Sequence, residues 1–224
     1  MVIIISLACI LTFSKTLVLI FWGVGVILFN KYYKLTKFIL FISLIPVVVF
    51  LFFTTHFVFV KPQSEQYDRY LKTNFVSSSV AFKAGETEAL ETCYFLNKKI
   101  AIEVFFQHPL LGIGAGNFND ELEKRKTENK YPANFLSYDP HSTYLGALAE
   151  NGLLGFISVL LILVKLLSWY WNIDLLRRDY FYQSLFILLV IFSVEAISTD
   201  IMNFRHLWVL IAIAFSYHHF RETQ

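Results

Sequence analysis

Hydrophobic residues run in long, nearly uncharged blocks rather than on alternating faces, over about 2–13, 17–29, 38–60, 144–167, 181–198 and 206–217. A helix needs roughly 20 apolar residues to cross a hydrocarbon layer, so this pattern predicts five or six transmembrane helices. The first block is too short for a full span. It also lacks the basic n-region and small-residue cleavage site of a secretory leader. It therefore reads as half a helix, and the chain as one that begins inside a longer ancestral protein whose upstream part is lost or encoded separately. The expected fold is an all-α polytopic membrane protein. Residues 1–60 would hold the N-terminal spans (the first partial), 61–143 a large, partly helical loop, and 144–224 the C-terminal spans.

Orientation follows from the short basic loops, because Lys and Arg near helix ends resist translocation. Lys31, Lys34 and Lys37 mark one such loop, Lys165, Arg177 and Arg178 a second, and Arg221 the tail. Placing these in the cytoplasm puts Ser14 and Lys15, the large loop and the turn at 199–205 on the opposite side. Trp169, Tyr170, Trp171 and Tyr180 cluster at a cytoplasmic end and read as interfacial anchors.

Composition agrees with lipid burial: 56% of residues are hydrophobic and 18% aromatic, with a mean hydropathy of +0.56. A net charge of +2, with basic and acidic residues interleaved, gives no basic footprint for nucleic acid. Cys9 lies in an apolar block and Cys93 in the polar loop, so neither suggests a disulfide or a nucleophile. No histidine or cysteine spacing suggests a metal, and no cofactor motif is present.

The loop holds ten basic and eleven acidic residues between 61 and 139, which makes it a small domain rather than a linker. A helix is predicted over 85–107. Glu86 and Glu88 would favour its N-terminal end, and Leu90, Tyr94, Ile100, Val104 and Phe105 recur at near-helical spacing. His108 and Pro109 would end it. The glycine-rich turn through Gly112, Gly114 and Gly116 is not a dinucleotide fingerprint, since Asn117 stands where the third glycine belongs. It reads as a packing turn that returns the loop onto the membrane helices. The 121–130 stretch reads as a solvated, charge-alternating segment. His141 lies at the expected water interface with Asp139 two residues away, and histidine is the side chain best suited to take a proton near neutral pH.

Three blocks in order carry a family resemblance: His108-Pro109-Leu110-Leu111-Gly112-Ile113-Gly114-Ala115-Gly116-Asn117-Phe118, then His141-Ser142-Thr143-Tyr144-Leu145, then Ala149-Glu150-Asn151-Gly152-Leu153-Leu154-Gly155. Together they resemble the signature of the O-antigen ligase and O-antigen polymerase superfamily. In that reading His108, Pro109, Gly112, Gly114, Gly116, Glu150 and Gly152 are motif positions. The resemblance implies a multi-pass protein of the bacterial inner membrane with its large loop in the periplasm. It further implies transfer of a glycan from undecaprenyl diphosphate to an acceptor sugar, with inversion. The acceptor would be the lipid A core for a ligase or a second glycan for a polymerase. A non-catalytic remnant, a partner to a separately encoded N-terminal half, and a transporter of lipid-linked glycan stand as alternatives.

Such a displacement needs a base for the attacking hydroxyl and positive charge for the departing diphosphate. His141 is the candidate base and Asp139 a candidate orienting partner. Arg205, Lys15 and Arg69 are the candidate phosphate-binding cations. Lys15 stands where the family usually has arginine, and Glu91, Thr92 and Cys93 stand where it often has another. Glu195, a carboxylate inside an apolar block, either pairs with a basic group such as Arg205 or contacts substrate. Glu150 has the same two readings, substrate contact or a hydrogen bond across helices.

Overall fold

In the computed structural model of the chain, the structure describes residues 49, 53, 56–73, 75–135, 139–172, 175–176 and 179–223. The first two apolar blocks, most of the third, and Lys15 lie outside the described residues. The chain divides into two compact units, Phe50–Val159 with Ser198–Asp200 in one, and Leu160–Ile197 with Ile201–Gln224 in the other.

The first unit corrects the all-α expectation, because it opens with a three-stranded antiparallel sheet. Strands β1 (Phe57–Val60), β2 (Val76–Ala84) and β3 (Thr87–Thr92) lie in the order β1-β3-β2, and helix α1 (Glu65–Leu71) falls between the first two in sequence. Residues 57–60, read as the end of an apolar span, pair with β3 through Phe57 to Glu91 and Val60 to Glu88. The predicted helix over 85–107 likewise begins as hairpin loop and strand, and is helical only from Cys93. Gly85 and Glu86 form a two-residue loop between the paired Ala84 and Thr87. Gly85 adopts φ 63, as the first position of a type II′ hairpin requires. Glu88 faces Lys83 across the ladder and binds it at 2.7 Å, so the charge read as a helix-start signal is a cross-strand pair. On one side of the sheet Val60, Val76 and Leu90 form a small core under Val58, Tyr67 and Leu71.

Helix α2 (Cys93–Gln107) starts where β3 ends and stops at His108, where the following proline forbids another helical residue. Helix α3 (Phe118–Thr127) packs on it. Cys93, Ile100, Ala101 and Val104 of α2 meet Phe118 and Leu122 of α3, together with Tyr131, Phe135 and Ala149. The 121–130 segment is therefore not wholly solvated, since Leu122 and Arg125 are buried in it. Arg125, on α3, is buried and held by Glu121 at 2.9 Å and Glu103 at 2.6 Å.

Helix α4 (Thr143–Trp169) is the one helix among the described residues long and apolar enough to cross a membrane. It is interrupted at Gly152, where φ is 64 and ψ −160. In the second unit, α5 (Tyr180–Glu195) is a shorter apolar helix, and a 3-10 turn (Ile201–Asn203) leads into α6 (Arg205–Glu222). Tyr170 is not an interfacial anchor. It is fully buried, and its hydroxyl donates to the Ala214 carbonyl at 2.6 Å. Trp171 and Tyr180 remain exposed.

The interruption in α4 is filled by the glycine-rich turn. The Ile113 and Gly114 N–H groups donate to the Ala149 and Glu150 carbonyls at 3.0 and 2.8 Å, and the Leu153 N–H donates to the Pro109 carbonyl at 2.8 Å. A Cβ on Gly112 would overlap the Glu150 carbonyl, and one on Gly152 would overlap the Leu110 carbonyl. Gly112→Ala and Gly152→Ala should each destabilise the purified protein by at least about 2 kcal/mol, since strained φ and backbone overlap add. Gly85→Ala, with the same sign of φ but open space around it, should cost about 1 kcal/mol. Thermal unfolding of the three variants in detergent checks the ranking.

Candidate functional site

Helix α4 begins directly after the histidine. The Ser142 hydroxyl accepts the Leu145 N–H at 3.3 Å, the bond of an N-cap, and the Thr143 hydroxyl donates to an Asp200 carboxylate oxygen at 3.0 Å. Just before the cap the chain turns sharply, and His141 takes φ 51, uncommon for a residue with a side chain. The turn is held by Asp139, whose Oδ1 accepts the His141 backbone N–H at 2.7 Å. A short acceptor side chain bonding the backbone two residues on is how an aspartate stabilises such a turn.

The same Oδ1 lies 3.1 Å from His141 Nδ1. An ionised carboxylate can only accept, so this contact places the proton on Nδ1 and leaves Nε2 as the bare nitrogen. The hydrogen bond from the His141 ring, with the backbone N–H beside it, holds the Asp139 carboxyl below its ordinary range against the opposing effect of partial burial. The Tyr94 ring of α2 stacks on the imidazole, with centroids 4.2 Å apart and planes within 8°. The histidine side chain keeps 30% exposure, so it is reachable from solvent.

One turn along α2, the Asn97 side chain donates to the Asp139 carbonyl at 3.2 Å, and Tyr131 donates to Asn97 Oδ1 at 2.8 Å. Beside it, Lys98 is buried with its Nζ 2.7 Å from Nε2 of the buried His56. Sequence reasoning treated Tyr94 only as part of an apolar stripe and missed Asn97, Lys98, Tyr131 and Asp200. A polar Asn-Lys pair among the core positions of α2 was the available signal.

The other expected site residues fall as follows. Glu150 Oε1 accepts the Phe118 N–H at 3.3 Å, placing a carboxylate at the start of α3, where the helix dipole favours it. Of its two readings the structure records a backbone hydrogen bond to the neighbouring helix. Arg69 is exposed on α1 and paired with Glu65 at 3.6 Å. Arg205 and Glu195 belong to the other unit. Arg205 is exposed at the first position of α6. Glu195 is buried and is the last residue of α5, not an interior one. Cys93 is fully enclosed and its thiol is pushed up to about 11 by burial, so it is a core residue.

A 27-residue helix long and apolar enough to cross a membrane, broken by a docked glycine turn and with a paired histidine at its start, frames the site. Residues 1–160 match the family model described as O-Antigen ligase, and the chain belongs to that family. The match contains both halves of the 109–154 docking and the Asp139–His141 turn. Family membership assigns the protein in general terms to a ligase or glycosyltransferase type of activity. A comparison with curated proteins gives no match.

The depressed Asp139 acidity fixes a pH dependence. Its folded value lies below its unfolded one, so its contribution to stability is complete above the unfolded value and is lost as pH falls through the folded one. Between about pH 5 and 3, Asp139→Asn should therefore show a shallower loss of thermal stability than wild type. Equal slopes would mean that the carboxylate gains nothing on folding.

Proposed function

We propose that this protein transfers a glycan from undecaprenyl diphosphate to an acceptor sugar hydroxyl at the extracytoplasmic side of the bacterial inner membrane, as an O-antigen ligase, with His141 as general base. The Asp139–His141 contact carries the reading. With Nδ1–H committed to Asp139, Nε2 takes the hydroxyl proton as the oxygen attacks the anomeric carbon. The new C–O bond forms while the bond to the diphosphate breaks, and the diphosphate leaves with its electron pair. One displacement of this kind inverts the anomeric centre. Asp139 stabilises the imidazolium that results, as a carboxylate on the far nitrogen does wherever histidine acts as base.

Positive charge is needed for the leaving group. Of the candidate cations, Arg205 is exposed at the start of α6, and an arginine fork is the best bidentate clamp for a phosphate. Arg69 already has Glu65, and Lys15 would supply charge without the forked geometry of arginine. A polymerase of this fold would differ in its acceptor and not in these steps.

Expression in a strain lacking its own ligase, alone and with a separately encoded upstream half where the genome carries one, tests the proposal. Wild type should restore glycan on the lipid A core. His141→Ala, present at equal level in the membrane, should lose about 100-fold or more, the usual contribution of a general base. Full activity of the variant would remove His141 from the chemistry and favour a transporter, which needs no base. Failure of both forms even with the upstream half would overturn the ligase assignment.

A further inference from the structure

The Asp139–His141 turn stands in an unusual backbone conformation, and its own residues supply only the aspartate bonds that hold it. The remaining contacts come from the first two turns of α2. Tyr94 covers one face of the imidazole, nearly parallel at 4.2 Å. Three residues further on, Asn97 bonds the Asp139 carbonyl and is itself fixed by the Tyr131 hydroxyl. Residues three apart on a helix share a face, so Tyr94 and Asn97 form one platform. Its outer half touches the ring and its inner half touches the backbone. Asn97 is fully buried, and Tyr94 is partly buried against the core of this unit.

We propose that Tyr94 and Asn97 are positioning residues for His141, with Tyr94 setting the plane of the imidazole and Asn97 setting the turn that presents it. This rests on His141 being the base. Stacking on a phenol face also favours a ring that becomes a cation, because the face of an aromatic ring is its negative part. Among the described residues, the titratable groups in contact with the His141 ring are the Asp139 carboxylate and the Tyr94 phenol. Tyr94 therefore acts on the imidazolium through its face.

The test compares wild type, His141→Ala, Tyr94→Phe, Tyr94→Leu and Tyr131→Phe, each purified in detergent and assayed with a lipid-diphosphate-linked glycan and a sugar acceptor across pH 5.5–8.5. Tyr94→Phe, which keeps the ring face, should retain more kcat than Tyr94→Leu and keep the acidic limb of the wild-type pH–rate profile. Tyr94→Leu should lose about 10-fold or more in kcat with KM nearly unchanged, and the acidic limb of its pH–rate profile should move down by about half a pH unit, the size of a lost cation–π contact. Tyr131→Phe should lower kcat without moving that limb. If His141→Ala is inactive while Tyr94→Leu keeps the wild-type kcat and limb, the platform is structural and this inference fails with the base assignment intact. If His141→Ala is as active as wild type, the functional reading fails first. If Tyr94→Phe falls as far as Tyr94→Leu, the hydroxyl and not the ring face is responsible, which also overturns the proposal.

Discussion

The backbone exchange between the glycine-rich turn and the interruption in α4 is the contact on which the rest of the loop unit depends. Breaking a helix at Gly152 strands carbonyl and N–H groups that would otherwise bond within it, and each such group left unpaired when buried costs about 1–3 kcal/mol. The 109–114 segment takes them up. Pro109 accepts from Leu153, and Ile113 and Gly114 donate to Ala149 and Glu150. The approach is so close that glycine is required on both sides, Gly112 against the Glu150 carbonyl and Gly152 against that of Leu110. Each strand of the exchange satisfies the other, which explains on physical grounds why the two motif blocks accompany one another.

From that contact the site can be followed outward. Docking places the end of α2 and the start of α3 beside α4, and the Glu150 carboxylate completes the junction at the Phe118 N–H. The core shared by α2, α3 and Ala149 then sets where the first turns of α2 lie, and with them Tyr94 and Asn97. The start of α4 is fixed separately, by the Ser142 cap and by Thr143 bonding to Asp200 and to the Thr199 carbonyl. His141 lies between these two anchored pieces. A proton acceptor gains from being held in one orientation before substrate arrives, because the cost of ordering it has been met during folding.

Much of this was legible in the sequence, but unevenly. The apolar blocks at 144–167, 181–198 and 206–217 correspond to α4, α5 and α6 because long apolar runs carry a strong compositional signal. The stop at His108 was legible because proline acts locally. The sheet was not, since Leu90 and Tyr94 satisfy a helical spacing even though one lies in β3 and the other in α2. The available signal there was Gly85 followed by Glu86, a two-residue hairpin loop with a positive φ at the glycine. At the site, Asp139 and His141 were visible because a turn aspartate two residues before a histidine is a local feature. Asn97, Tyr131 and Asp200 act across separations of 34 to 57 residues, which no local pattern encodes.

The central claim is that a histidine held by Asp139 takes the proton of an attacking hydroxyl in a single displacement, and the stereochemistry of the product tests it most directly. Purified protein would be supplied with a lipid-diphosphate glycan of defined anomeric configuration, and the new linkage read by NMR coupling constants. A single displacement predicts the opposite configuration in the product, with one lipid diphosphate released per bond formed. Retained configuration would require a covalent glycosyl intermediate and a nucleophile, and would contradict the role of His141 as a base acting on the acceptor.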